Sequence, residues 1–187
     1  MKKLLVILGC LALPCLAFAY GGGGFEYFTN VGPDLLPSLN STSLVTLPSG
    51  SVLGASAFGY GVTAGGWKIG GFGMFFYTDG LSIPIPYLGR VDNASGWVAG
   101  VLSGGQARLG PFRLSLNFRM GAGMAFADWF PTAALYGSVD GEVGILFVPA
   151  MLLSAYTGIG VIAPFLYNGP VPMGAIIAGI RITWGYL

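Results

Sequence analysis

The sequence predicts an all-β protein: a closed, antiparallel, up-and-down transmembrane β-barrel of about eight strands. Charged residues make up only 8% of a chain that is 54% hydrophobic. A soluble domain normally carries about 25% charged residues, so this composition favours a membrane protein. Two further observations favour strands over helices. Apolar and polar residues alternate with a period of two, and short and long connections alternate along the chain.

The alternation is clearest between Phe112 and Phe126, where every even position is apolar. The odd positions carry Arg113, Asn117, Arg119 and small residues. A helix would distribute both sets around its circumference, whereas a strand directs them to opposite faces. The segment from Ile176 to the C-terminus repeats the pattern, with apolar residues at even positions and Gly179, Arg181, Thr183 and Gly185 between them.

Seven strands follow from this pattern and from the turn signals. Their predicted ranges are Ser51–Ala64, Trp67–Thr78, Gly96–Leu109, Phe112–Ala127, Thr132–Val148, Ala150–Ala163 and Met173–Leu187. An even-numbered barrel needs one more strand from residues 20–50, either near Phe25–Asn30 or near Ser43–Leu47. We interpret Gly21–Gly24 as a flexible start and not as a phosphate loop, because no strand precedes it and no helix follows.

The connections alternate in length. Short ones are predicted at Gly65-Gly66, at Gly110-Pro111 and around Pro149, and longer ones over Asp79–Ser95, Asp128–Pro131 and Pro164–Pro172. Outer-membrane barrels have short periplasmic turns and longer outer loops, which gives the chain an orientation. The stretch from Ser82 to Leu88 is apolar and proline-rich, and it either forms an exposed binding patch or folds over the barrel mouth.

A helical inner-membrane protein is the alternative fold, because no charged residue occurs between Val143 and Ile180. Pro149 and Pro164 divide this region, and the segment between them is too short for a helix that needs about 20 residues to span a bilayer. A secreted β-sandwich is a second alternative, but its outer faces would be too apolar for water.

The N-terminus has the organisation of a cleaved signal peptide, residues 1–19. Lys2 and Lys3 precede the apolar stretch Leu4–Leu16, and Ala17-Phe18-Ala19 supplies the small residues of a cleavage site. The mature chain would be a single barrel domain, residues 20–187, exported to the outer membrane of a Gram-negative-type bacterium. It would contact membrane lipid and the outer-membrane insertion machinery.

Both cysteines lie in the predicted signal peptide, and the chain has no histidine. The mature chain therefore lacks thiol or imidazole catalysis and the usual zinc ligands, and we expect no enzyme activity, no metal and no cofactor. Without Lys2 and Lys3, six basic residues stand against seven acidic ones. No basic patch points to nucleic acid.

Most of the charged side chains fall on the alternate strand positions that face the barrel interior. The polar residues at these inward positions are Lys68, Gln106, Arg108, Arg113, Asn117, Arg119, Asp140, Glu142 and Arg181. The hairpin around Asp128–Pro131 is predicted to pair Arg119 with Asp140. Such charges must be paired inside a barrel, so the cluster is interpreted as a structural plug, with a narrow polar path as the alternative.

The same hairpin is predicted to pair Asn117 with Glu142, and the bend at Pro149 places Tyr156 opposite Glu142 as well. Arg108 and Arg113 face each other across Gly110-Pro111, where they either splay into water or hold an anion such as phosphate.

Aromatic residues near the strand ends complete the pattern. Trp67, Trp97, Trp129, Trp184 and Tyr186 are predicted to lie at the two membrane interfaces, where amphipathic rings are enriched. The chain resembles the small eight-stranded outer-membrane β-barrels as an architectural class. Such barrels usually end in phenylalanine or tryptophan, whereas this chain ends Trp184-Gly185-Tyr186-Leu187.

The resemblance implies functions that need no catalysis. The main hypothesis is a structural, adhesion or surface-recognition role through the outer loops, with an extracellular ligand for the loop 79–95. The alternative is a porin-like narrow channel or conduit for small or apolar solutes. Barrel enzymes of this class use a histidine, which this chain lacks.

Overall fold

A computed structural model describes residues 20–31, 52–78, 83–85, 89–91, 93–127, 130–166, 169–170 and 172–185. Within these ranges, eight long strands form the barrel. They are β1 (Tyr20–Asn30), β2 (Val52–Val62), β3 (Trp67–Thr78), β4 (Ala94–Leu109), β5 (Phe112–Ala127), β6 (Phe130–Val148), β7 (Met151–Leu166) and β8 (Met173–Gly185). The predicted signal peptide, residues 1–19, lies outside the described residues.

Each strand pairs antiparallel with its neighbour in sequence, and β8 pairs with β1 to close the sheet. In this closing seam Phe25 lies opposite Ile182 and Glu26 lies opposite Arg181. Closure leaves no open edge of unpaired backbone groups, which is what a strand structure in lipid requires. The fold is therefore the closed eight-stranded antiparallel barrel that the sequence predicts.

Three tight turns join strands at one end of the barrel, which we call the turn end. They lie at residues 63–66, at Gly110-Pro111 and at Pro149-Ala150, as predicted. In the first turn the Gly66 amide donates to the Thr63 carbonyl at 2.9 Å. At the opposite end, which we call the loop end, β1 connects to β2 and β3 connects to β4 through the two longest segments.

Two of the predicted long connections are shorter in the structure. Strands β5 and β6 are separated by residues 128–129 alone, and Phe130 already pairs with Ala127. Strand β7 continues to Leu166, where Gly169–Pro170 pairs back onto it. Pro131 and Pro164 therefore lie inside β6 and β7, although the sequence analysis assigns both prolines to loops.

The connection from β3 to β4 contains the paired strands Ile83–Ile85 and Gly89–Val91, which form a separate small sheet.

The interpretation of Gly21–Gly24 as a flexible start is wrong. These glycines belong to β1 and pair with both β2 and β8. A Cβ on Gly23 would lie 2.9 Å from the Phe58 carbonyl oxygen, so glycine permits the close approach of β1 to β2. The first strand thus includes Phe25–Asn30, and the Ser43–Leu47 alternative lies outside the described residues.

Burial alternates along every strand. Most of the side chains that face out are apolar, such as Phe75, Met120, Val139, Ile159 and Ile180. Among described residues whose burial is defined, Arg108 is the one exposed charged side chain. The helical alternative is wrong, since the region it rested on forms β6, β7 and β8. No helix in the described ranges is both long enough and apolar enough to cross a membrane.

Ala150 has a φ of 78°, which is unfavourable for a residue with a Cβ. It follows Pro149 in the turn between β6 and β7, where proline and then a positive φ is the type II pattern that favours glycine. We predict that Ala150→Gly raises the free energy of unfolding by about 0.5–1 kcal/mol, measured by urea titration in detergent micelles. Ala155→Gly, at an extended exposed position of β7, is the control and should be destabilising. Equal effects of the two changes would contradict the strain at Ala150.

Candidate functional site: a charged network inside the barrel

The main concentration of functional groups is a network of charged side chains inside the barrel. Six strands contribute to it through Glu26, Lys68, Asn117, Arg119, Asp140, Glu142, Ser154 and Arg181, all of which are buried. Each occupies an inward position of its strand, between neighbours that face out. The period-two alternation that makes the outer surface apolar therefore also collects these charges in the lumen.

The Glu26 carboxylate connects strands on opposite sides of the barrel. It lies on β1, and Arg119 reaches it from β5, the strand on the far side of the eight-stranded ring. Both terminal nitrogens of Arg119 contact the carboxylate, Nη2 at 2.8 Å from Oε2. Arg181 adds a bond from Nε to Oε2 at 2.9 Å. Glu26 thus bridges two guanidinium groups in a low-dielectric interior, where charge-assisted hydrogen bonds are strong.

Arg181 contacts all three buried carboxylates of the described chain. Its Nη2 lies 2.7 Å from Oε2 of Glu26 and 3.3 Å from Oδ1 of Asp140, and its Nη1 contacts Glu142. The planar guanidinium carries five donors in fixed directions, which suits it to join several acceptors at once. Arg181 is therefore the centre of the network.

Neutral groups and a lysine complete the coordination of the carboxylates. Asn117 donates from Nδ2 to Asp140 at 2.7 Å and to Glu142 at 3.2 Å. The Ser154 hydroxyl donates to Glu142 at 2.6 Å, and Lys68 Nζ lies 3.8 Å from the same carboxylate. Each carboxylate thus has several partners, as buried charges require.

Aromatic rings surround the arginines. The Arg181 guanidinium lies 4.3 Å from the ring centroid of Tyr156 and 5.3 Å from that of Phe58. Arg119 lies 5.8 Å from the Phe72 ring, which packs against Tyr136. Ring faces attract cations, so these contacts stabilise the charges and fill the lumen.

The register of β5 with β6 differs by two residues from the predicted one. Asn117 lies directly opposite Asp140, and Arg119 lies opposite Ser138. The predicted partners are diagonal neighbours that still make contact: Arg119 Nη2 lies 3.6 Å from Oδ2 of Asp140, and Asn117 bonds Glu142. The two-residue connection at 128–129, in place of a longer loop, moves the centre of the hairpin.

Tyr156 lies directly opposite Glu142, as the bend at Pro149 predicts. Its ring contacts Arg181, and its hydroxyl has no hydrogen-bond partner among the described residues.

Glu26, by contrast, is missing from the predicted cluster because the sequence leaves the position of the first strand open. One signal in the sequence could have identified Glu26. It lies between the apolar Phe25 and Tyr27, so the alternation of a strand would turn its carboxylate, the one acidic group of residues 20–31, towards the interior.

The other predicted site residues lie at the two ends of the barrel. Arg108 and Arg113 are directly opposite each other beside the Gly110-Pro111 turn, where Arg113 is buried and Arg108 is exposed. Trp67 and Trp184 face out near the turn end and Trp97 near the loop end. Trp129 and Tyr186 lie outside the described residues. Gln106 is half-buried on β4.

One similar solved structure is the attachment invasion locus protein Ail of Yersinia pestis, crystallised in complex with the heparin analogue sucrose octasulfate. Its sequence is 14% identical, the TM-score is 0.37, and the match covers 86% of this chain and 98% of that chain. No protein-family model and no curated protein sequence matches the chain.

Removal of the Glu26 charge should strongly destabilise the barrel. We predict that Glu26→Gln lowers the free energy of unfolding by about 3–5 kcal/mol, because Arg119 and Arg181 remain buried without their shared counter-ion. Ser56→Ala is the matched control, because Ser56 is buried, lies directly opposite Glu26 on β2 and carries no charge.

The double variant Glu26→Gln/Arg119→Met should be less destabilised than Glu26→Gln alone, because it removes a cation together with the anion. Urea titration in micelles measures the wild-type protein, Glu26→Gln, Arg119→Met, the double variant and the Ser56→Ala control. Additive losses in the double variant would contradict the ion pair across the lumen.

Proposed function

We propose that the chain is an integral outer-membrane β-barrel that works without catalysis and displays its loops at the cell surface, in a structural, adhesion or recognition role. Residues 1–19 would direct export and be removed. Residues 20–187 would then form one domain in the outer membrane of a Gram-negative-type bacterium.

The outer surface of the barrel supports insertion in lipid. Most side chains that face out are apolar over the length of the strands. Among the residues whose burial the structure describes, every charged side chain except Arg108 at the turn end lies in the lumen. The cost of a charge on the lipid face is about 2–4 kcal/mol at the bilayer midplane, so its absence there is what a membrane barrel needs. Outward tryptophans near both ends fit the interfacial positions of such barrels.

The observation that carries the proposal against a channel is the filled lumen. Arg119 and Glu26 join strands on opposite sides of the ring, and Lys68 on β3 reaches Glu142 on β6. Towards the loop end the interior is occupied by apolar side chains, namely Phe28, Phe72, Met74, Phe76, Val98, Tyr136 and Ile177. Eight strands enclose little more than the volume of their own inward side chains.

We predict that the mature protein, reconstituted in a planar bilayer, gives no current steps under conditions where a porin control conducts. The heat-dependent shift in SDS gel mobility would show in the same preparation that the barrel is folded. Discrete steps whose conductance rises with salt concentration would overturn the proposal and favour the channel.

The connections at the loop end are the parts available for recognition. The longest that the structure describes in part joins β3 to β4 and contains the small sheet of Ile83–Ile85 and Gly89–Val91. Connections of this kind carry binding functions when a rigid scaffold presents them. The connections that the structure describes at the opposite end are tight turns.

We predict that an epitope tag inserted after Tyr87 binds antibody on intact cells, whereas a tag inserted between Gly110 and Pro111 binds only after permeabilisation. Both insertions fall in connections, so both proteins should fold, which the gel-mobility shift checks. The reverse labelling pattern would contradict the proposed orientation. Adhesion of the tagged cells to an abiotic surface, compared with cells that lack residues 82–88, then tests whether this loop carries the function.

A further inference from the structure

The charges inside the barrel do not balance at the turn end. Three buried carboxylates, Glu26, Asp140 and Glu142, form ion pairs with three buried cations, Lys68, Arg119 and Arg181. Arg113 is a fourth buried cation, with 5% of its surface exposed. It makes no ion pair with any residue in the described ranges. Among the described residues, the lumen therefore holds four positive and three negative buried side chains.

The surroundings of Arg113 add positive charge. Arg108 lies directly opposite on β4, and Lys68 interacts electrostatically with Arg113 from β3. Arg108 donates from Nε to the Gly110 carbonyl at 3.1 Å, which leaves its terminal nitrogens free to turn towards the mouth of the barrel. Like charges directly opposite each other across a strand pair are destabilising.

Arg113 also has an unused donor. Its Nη1 atom is buried and has no hydrogen-bond partner among the described residues, while the side chain interacts with the Tyr60 hydroxyl. A buried guanidinium does not lose its proton, so the charge itself has to be compensated. Guanidinium groups bind oxyanions through two parallel hydrogen bonds.

We propose that Arg113 and Arg108 form a binding site for a small oxyanion that enters from the aqueous phase at the turn end. A phosphate or carboxylate group would accept from Nη1 of Arg113 and from the terminal nitrogens of Arg108. The source is the aqueous phase and not a lipid headgroup, because Arg113 faces the lumen while its neighbours Phe112 and Leu114 face out. The site is independent of the loops and of conductance.

Inorganic phosphate is the probe. The mature protein is refolded in dodecyl maltoside, a detergent without phosphate, and sodium phosphate replaces sodium chloride at constant ionic strength. We expect the midpoint temperature of unfolding to rise by about 3–6 °C when phosphate reaches about ten times its dissociation constant. The phosphate resonance in ³¹P NMR should broaden when the folded protein is added.

Three variants locate the effect. Arg113→Gln should abolish both the shift and the broadening, and Arg108→Gln should weaken both. Arg90→Gln, in the small sheet between β3 and β4, removes an arginine from the other end and should change neither. If Arg113→Gln fails to fold, the comparison of Arg108→Gln with Arg90→Gln decides.

No shift and no broadening in the wild-type protein would overturn the proposal and leave water to solvate Arg113. An equal response in wild-type, Arg108→Gln and Arg113→Gln proteins would overturn it as well. Because the test uses micelles and no cell surface, its failure leaves the proposed display function untouched.

Discussion

The bond between Glu26 and the two arginines is the interaction on which the rest of the barrel depends. Arg119 and Arg181 keep their charge when buried, so the lumen needs a carboxylate at their level. Glu26 meets this need only in one register of β1. A shift of one residue would turn Glu26 to the lipid and bring Phe25 or Tyr27 inside. The ion pairs therefore specify the seam between β1 and β8, where Glu26 lies directly opposite Arg181.

The lumen is closed by two different means. Near the turn end and at mid-depth, ion pairs and hydrogen bonds join strands across the interior. Towards the loop end, most of the buried inward side chains are apolar, with the Phe72 ring packed against Tyr136. At the boundary between these two regions, Arg119 lies over the ring of Phe72, and Arg181 lies over the rings of Phe58 and Tyr156. The buried charged side chains of the described residues lie at mid-depth and towards the turn end, and Arg113, which has no ion-pair partner among them, lies on that side of the lumen.

The sequence predicts the fold well because one physical rule, alternation, acts along the entire chain. It yields the ranges of β3 and β5 correctly and the inward direction of Arg119, Asp140, Glu142 and Arg181. It cannot fix the register across a hairpin, because a shift of two residues keeps every side chain on the same face. The pairing of β5 with β6 was wrong by that shift. The register is decided by the number of residues that connect the two strands, since Ala127 already pairs with Phe130.

Residues 20–24 show a second limit of prediction from the sequence. Four consecutive glycines have low strand propensity, so local sequence suggests a flexible start. The structure incorporates them in β1 because tertiary pairing on both sides outweighs that preference. Glu26 is missing from the predicted cluster because the sequence leaves the position of the first strand open, and its importance follows from a partner 93 residues away. Contacts of this kind depend on which strands become neighbours, and no local pattern contains that information.

The narrow lumen also explains part of the glycine content. A Cβ on Gly179 would lie 2.8 Å from the ring of Tyr156, and one on Gly158 would lie 2.8 Å from the Cβ of Asp140. Glycine at these inward positions provides the volume that Tyr156 and Asp140 fill. In a barrel of eight strands, each bulky interior group must be offset by a small one nearby. The charged network and the glycines beside it are thus a single packing solution, since larger residues at these positions would displace the groups that hold Arg181.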